Sequence, residues 1–217
     1  MFKWLGRLKW YWKALLGLIL VLGAVSVFMF VFMVQKDAEH FESDSYVRTS
    51  GSSASTVVVY FSRNGHTQAL ARALARTFDA DLVEIKACDY PLNLLGFMHA
   101  ASSARNHDRC EISPDVVDLS SYDTVFLGAP IWLRWPAAPL WSFVEKNDFT
   151  GKKVTLFATM NHIYKQEAVD AFKKSVEERG GEFQEFIYLK RGRIFSQLGR
   201  EEFLGAIGTL VENELKE

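Results

Sequence analysis

The sequence predicts a doubly wound α/β domain, a five-stranded parallel sheet in the order 2-1-3-4-5 with helices on both faces, preceded by one transmembrane helix. Three observations carry this. From residue 56 onward, short β-branched runs alternate with segments of helical period. Several of those runs are apolar at every position, as strands buried between two helix layers are. Residues 14–34 hold no charge and no proline over 21 positions.

Residues 1–13 form a basic N-terminal flank with Lys3, Arg7, Lys9 and Lys13 and no acid. The 21 residues that follow, ALLGLILVLGAVSVFMFVFMV, are long enough at ~1.5 Å each to cross a hydrocarbon layer of roughly 30 Å. A cleaved signal peptide has a shorter apolar core and a small-residue cleavage site, which the following VQKDAEHF does not offer. An uncleaved signal anchor is the better reading, with Trp4, Trp10, Tyr11 and Trp12 at the interface. The positive-inside bias places the N-terminus in the cytoplasm and the C-terminal domain on the extracytoplasmic side of the cell membrane. Residues 35–55 read as a polar linker ending in RTSGSSAS, a coil with a reach of roughly 25 Å. Residues 56–217 are one domain's worth of chain.

Within that domain the first strand is 56–61 (TVVVYF), followed by a helix over 66–78 with Leu70, Ala73, Leu74 and Phe78 at helical spacing. The second strand is 81–86, and 90–106 is partly helical. The third strand is 124–128, followed by a short helix over 139–146. The fourth strand is 153–159. A helix over 166–179 carries Ala168, Val169, Phe172 and Val176 on one side and ends at Gly180-Gly181. The fifth strand is 183–189 and the closing helix 201–215. Right-handed crossovers leave few arrangements for such a chain. Ligands of these sheets bind beyond the carboxyl ends of the strands, near the switch point between strands 1 and 3.

Composition narrows the function. The chain is 49% hydrophobic and 24% charged, which suits a folded domain with a substantial core. Beyond the apolar run it holds 21 basic and 26 acidic side chains, a net of −5. An acidic body argues against a nucleic-acid partner. Two cysteines exclude a disulfide-dense scaffold and a Cys-rich metal site. Cys88 and Cys110 flank the stretch between strands 2 and 3, and either pair across it or stay unpaired; spacing alone does not decide.

Three loops reach the switch-point edge. After strand 1 come Ser62, Arg63, Asn64, Gly65, His66 and Thr67: hydroxyls, an amide and a glycine before a helix start, a set that suits a phosphate or an ordinary helix cap. After strand 3 come Pro130, Ile131, Trp132, Leu133, Arg134 and Trp135. Two tryptophans in one loop pack either on a planar ligand or on their own helix. After strand 4 come Thr159, Met160, Asn161, His162, Ile163 and Tyr164. No cluster has metal-ligand spacing, and no nucleophile elbow or paired-carboxylate motif occurs.

The stretches VVVYFSRNGHTQALARALA and YDTVFLGAPIWLRWPAAPLWSFVEKNDFTGKKVTLFAT resemble the flavodoxin family, from about residue 56 to the C-terminus. The resemblance implies non-covalent FMN. Ser62, Arg63, Asn64, Gly65, His66 and Thr67 would belong to its phosphate loop, Pro130, Ile131 and Trp132 would lie on the isoalloxazine ring, and Thr159, Met160, Asn161 and His162 would form the loop at the ring's other side. The sequence departs from the family at Asn64, where many relatives carry Thr, and at Leu133-Arg134-Trp135, where many continue Trp-Gly. The third loop also lacks the family's glycines. The implied function is a membrane-anchored protein moving electrons between a redox partner protein and another partner or a quinone. The alternatives are an NAD(P)H-dependent FMN reductase of quinones or similar acceptors, and a non-redox binding or scaffold protein on the same fold.

Overall fold

The computed structural model describes residues 9–49, 53–87, 90–192 and 196–214. The chain forms two compact units, Met1–Ala38 and Glu39–Glu217. The first contains one helix, α1 (Trp10–Ala38), of 29 residues. It extends past both ends of the predicted span and is about 43 Å long at 1.5 Å per residue. Most of its large apolar side chains, Leu18, Leu20, Val27 and Phe28 among them, are exposed. A helix apolar on every side needs an apolar surrounding, and this one is long and apolar enough to cross a membrane.

The second unit runs β1 (Thr56–Phe61), α2 (His66–Thr77), β2 (Asp81–Ile85), α3 (Leu94–Asn106), β3 (Thr124–Trp132), β4 (Trp135–Pro136), α4 (Ala138–Lys146), β5 (Lys153–Met160), α5 (Gln166–Glu177), β6 (Glu182–Lys190) and α6 (Arg200–Glu214). The long strands lie in the order β2-β1-β3-β5-β6, and every neighbouring pair among them is parallel. This is the predicted five-strand order, with β4 added as a short antiparallel partner of β3.

The unbroken apolar run of β1 resolves into two faces. Val57, Val59 and Phe61 pack with Leu127, Leu140, Phe143 and Phe172. Val58 and Tyr60 pack with Leu70, Leu74, Phe126, Phe157 and Phe203. Successive strand side chains point to opposite faces, and here both faces carry helices, so the five positions after half-buried Thr56 are all buried and apolar or aromatic. Gly128 sits opposite Tyr60 in the ladder, and a Cβ there would run into the Phe157 ring.

The stretch 107–123 has no helix or strand of its own and is held by Asn147, which is 3% exposed. Its Oδ1 accepts from Val117 N at 2.9 Å, and its Nδ2 donates to the carbonyls of Asp115 and Phe143, each at 2.8 Å. A buried amide with its partners met is what a loop lying over a core requires. Cys110 is half-buried, its N–H donating to Ser142 Oγ at 3.0 Å. Cys88 lies outside the described residues, and with it the question of pairing.

Two features differ from the sequence reading. The first concerns residues 35–55, expected as a coil linker. Residues 39–48 instead belong to the folded unit and lie as a strap beside α2. Polar side chains of α2 hold the strap's backbone: Arg72 donates to Ser43 O at 2.8 Å and Arg76 to the carbonyls of Asp44 and Ser45, each at 2.9 Å. Tyr46 OH donates to Ala80 O at 2.9 Å, and Arg48 pairs with Asp79 at 3.1 Å. A strand-like segment can be pinned through its carbonyls without an apolar pattern of its own, so composition reads as coil.

The second is β3, which runs on to Trp132 and folds back. Trp132 pairs with Trp135, and the two residues between them, Leu133 and Arg134, have φ of 43° and 78°. Two-residue hairpin loops with both φ positive match the twist of the flanking strands, but they favour Asn and Gly. Leu and Arg held there cost ~1–2 kcal/mol each. Replacing the pair by Leu133→Asn with Arg134→Gly is therefore expected to raise the thermal midpoint by roughly 2–4 °C, from a gain of about 1 kcal/mol. A calorimetric scan checks this; an unchanged midpoint would mean the turn is relaxed in solution.

Candidate functional site

All five long strands run the same way, so the loops after β1, β3, β5 and β6 emerge at one edge. The first loop leaves β1 at Phe61 and enters α2 through Gly65, whose φ of 93° lies in the left-handed region. No side chain caps α2. Ser62 Oγ instead accepts from Gly65 N at 3.0 Å, which closes the loop on itself. Helix-start N–H groups and the positive end of the helix dipole then face the loop's concave side, an arrangement suited to an anion.

Thr67 joins this loop to the third. Its hydroxyl is buried and lies 2.7 Å from that of Thr159 at the end of β5. The second loop joins the third as well: Pro130 is opposite Thr159 in the β3–β5 ladder, and Lys165 N donates to Arg134 O at 3.1 Å. A cleft of about 480 Å³ opens between those two loops, lined by Ile131, Leu133, Arg134, Asn161, His162 and Lys165. That volume is within the ~300–1,000 Å³ of small-molecule sites.

The predicted residues thus gather at one edge, but they do different things there. Arg63 does not turn into the loop; its guanidinium donates to Pro91 O at 2.9 Å and Asn93 O at 3.3 Å, bracing the loop against the entry to α3. Asn64 offers its carbonyl to Phe41 N at 2.7 Å. Trp132 is edge-on to Phe61 with ring centres 5.6 Å apart, and 4.8 Å from Tyr90. Its indole packs with the core on that side, while Ile131 and Leu133 line the cleft. Trp135 packs against His107 and Trp141. Met160 is buried, whereas Asn161 and His162 are exposed. Tyr164 turns to Phe186 and Tyr188 on β6.

Two participants were not legible in the sequence. Arg191, directly after β6, is 6% exposed, and its Nη1 lies 3.1 Å from His66 Nδ1. The last strand had offered no loop motif, and a lone Arg after a strand carries no signal. Phe41 comes from the strap: its ring is 4.5 Å from that of His66 and 5.1 Å from Phe203.

Arg191 and Phe41 together set the state of His66. Burial, and then the positive charges of Arg191 and His40, push its pKa down to about 3 from the usual 6.5. The ring is therefore neutral; its Nδ1 lies 3.1 Å from the Arg191 guanidinium and 3.2 Å from Asn64 Oδ1. A His whose pKa is depressed by folding takes up its proton on unfolding, so its contribution is complete above pH 6.5 and is lost progressively as pH falls toward 3. In the ligand-free protein, denaturant titrations between pH 7 and 4 should show stability falling with about one proton taken up on unfolding, and His66→Gln should flatten that dependence. Equal slopes in the two proteins would remove His66 from the site's electrostatics.

A family model described as flavodoxin matches residues 55–190. Among solved structures, one assigned as a flavoprotein from Bacteroides uniformis ATCC 8492 is 24% identical with a TM-score of 0.57, over 72% of this chain and 99% of that one. Another so assigned, from Bacteroides eggerthii DSM 20697, is 23% identical with a TM-score of 0.55, over 74% and 97%. A flavoprotein from Lactobacillus acidophilus NCFM, solved in complex with FMN, is 21% identical with a TM-score of 0.53, over 63% and 93%. At these identities the structures share the fold. No curated protein matches the chain. The family match takes in all five long strands, from β1 to the end of β6, and on that ground the chain belongs to the flavodoxin family.

Proposed function

We propose that the chain is a membrane-anchored FMN flavoprotein that passes electrons between redox partners. The observation that carries this reading is the coupled pair of features at the switch-point edge: an anion-receiving loop at the start of α2 and a cleft between the second and third loops, joined through Thr67 and Thr159.

The donor set fits both ends of FMN. The loop 62–67 offers hydroxyls, an amide and uncapped helix N–H groups. Arg191 adds a positive charge beside a neutral His66, a balance that favours a dianionic phosphate. Ser62, Asn64, Gly65, His66 and Thr67 would hold that phosphate, and Ile131, Asn161 and His162 would flank the ring. Bound FMN supplies the electron chemistry, and the chain supplies binding, orientation and field. Burial of Thr67, Thr159 and Arg191 keeps water from the phosphate end, where each hydrogen bond to the anion gains from the lower dielectric. At the cleft, Leu133 and Ile163 are exposed apolar side chains next to Arg134 and Lys165.

That cationic rim supports a second reading, a reductase that draws electrons from NADH or NADPH, because a phosphorylated coenzyme needs positive groups beside the ring. NADPH or NADH added anaerobically to the flavin-loaded protein would bleach it if this reading holds and leave it oxidised if the donor is a protein.

For the cofactor, titration of the full chain in detergent should show FMN bound more tightly than riboflavin. Thr67→Ala should weaken FMN by ~1.5–3 kcal/mol, the scale of a hydrogen bond to a charged group, with a smaller effect on riboflavin. Equal affinity for the two flavins in the wild-type protein would overturn the phosphate assignment.

For the anchor, four basic residues in residues 1–13 and a mixed, net-acidic flank beyond the helix favour an N-terminus in the cytoplasm and an extracytoplasmic domain. Protease added to intact spheroplasts should then degrade residues 39–217 while cytoplasmic controls survive. Protection until lysis would reverse the orientation.

A further inference from the structure

The strap does more than cover α2. It runs beside the helix in the same direction: Phe41 lies at Asn64 and His66, Ser43 at Arg72, Asp44 and Ser45 at Arg76, Tyr46 at Ala80. Its first contact is with the anion loop itself. Phe41 N donates to Asn64 O at 2.7 Å. The Phe41 carbonyl occupies the space that a Cβ on Gly65 would need, so strap and loop backbones touch at the residue whose left-handed φ turns the chain into α2. The Phe41 ring covers His66 and is seated in turn on Phe203 of α6, while Arg200 donates to Glu42 O at 3.3 Å. The far end is pinned by Arg48, which donates to Asp79 O at 2.7 Å and pairs with its carboxylate.

We propose that Phe41 is a positioning residue of the phosphate site, the strap of residues 39–48 clamping Gly65 and His66 in the conformation that receives the anion. Within the loop Ser62 Oγ accepts from Gly65 N, and Arg63 braces it toward α3. On the side of Gly65 and His66, where the glycine is left-handed and no side chain caps the helix, an external backbone hydrogen bond and an aromatic lid restrict it further. Without them the loop samples others, and the apparent affinity drops by the fraction of time the receiving arrangement is lost. Phe41 touches no cofactor in this account. It acts through Gly65 and His66, so its effect falls on the phosphate end and spares the ring end. The inference rests on the FMN reading.

The test uses the full chain in detergent, as wild type, Phe41→Ala, Phe41→Leu and Arg48→Ala. Dissociation constants for FMN and riboflavin are measured by flavin fluorescence, and hydrogen exchange of residues 62–69 is followed in the flavin-free protein. Phe41→Ala is expected to weaken FMN about tenfold, the shift produced when the receiving arrangement falls to about a tenth of its population. Riboflavin should change little, and exchange should rise at residues 62–69 while β5 stays protected. Phe41→Leu, which keeps an apolar lid, should recover part of the loss, and Arg48→Ala should give a weaker form of it by loosening the strap's far end. Protected exchange in β5 of Phe41→Ala shows that the variant is folded. Wild-type FMN affinity in Phe41→Ala, or equal losses for FMN and riboflavin, would overturn the inference while leaving the FMN reading intact. A wild-type chain that takes up neither flavin would overturn both.

Discussion

Parallel pairing of five strands with both faces covered is the constraint from which the rest follows. Parallel strands cannot be joined by tight turns, so each connection must cross over the sheet and return to the same starting edge. Every strand therefore ends at the opposite edge, and the loops after β1, β3, β5 and β6 emerge there together. The central position of β1 between β2 and β3 makes the crossovers diverge to opposite faces, which opens the crevice at the β1–β3 boundary. The apolar content of β1 follows from the same constraint. Val57, Val58 and Val59 are each fully buried, Val57 and Val59 under one helix layer and Val58 under the other.

Within that frame the site is an electrostatic compromise. Arg191 is buried beside a histidine, an arrangement that is unfavourable unless the histidine stays neutral or an anion arrives between them. Folding adopts the first solution in the ligand-free protein, and the cost is a His66 that resists protonation to about pH 3. The second solution is open to a phosphate. The Leu133-Arg134 turn is a second local cost at the same edge, left-handed residues with side chains, which places an apolar and a cationic side chain on the rim of the cleft. Local strain of this kind persists where surrounding pairing over-determines it, here the Trp132–Trp135 bridge and the Lys165–Arg134 hydrogen bond.

The fold was legible because its signals are local. TVVVYF, TVFLG and KVTLFAT are apolar runs of strand length, and the helices between them show their period. Most boundaries within the domain shifted by a residue or two; α1 runs four residues past the expected span at each end, α3 begins only at Leu94, and the extension of β3 ends in a turn without the Asn or Gly that would have marked it. The site was legible as far as it lies in loops directly after strands. Ser62, Gly65, Thr67, Asn161 and His162 could be read from their place after a strand, and Ile131 and Thr159 from the ends of β3 and β5. Trp132, singled out for its size, is half-buried and touches Phe61 and Tyr90, contacts that no local pattern announces, because a side chain's direction depends on what the neighbouring layer leaves open.

The sequence by itself determined the alternation of strands and helices, hence the parallel sheet and the edge where its loops converge, together with an apolar segment long enough to cross a membrane. Both are written in the periodicity and length of apolar runs, which act over neighbouring residues. The tertiary structure alone decided that Arg191 stands beside His66, that Thr67 meets Thr159, and that residues 39–48 lie along α2 with Phe41 over the anion loop. These pairs are separated by 125, 92 and about 25 positions. Such contacts depend on the packing of whole elements, and a polar strap held through its own carbonyls leaves no pattern in its side chains to announce where it will dock.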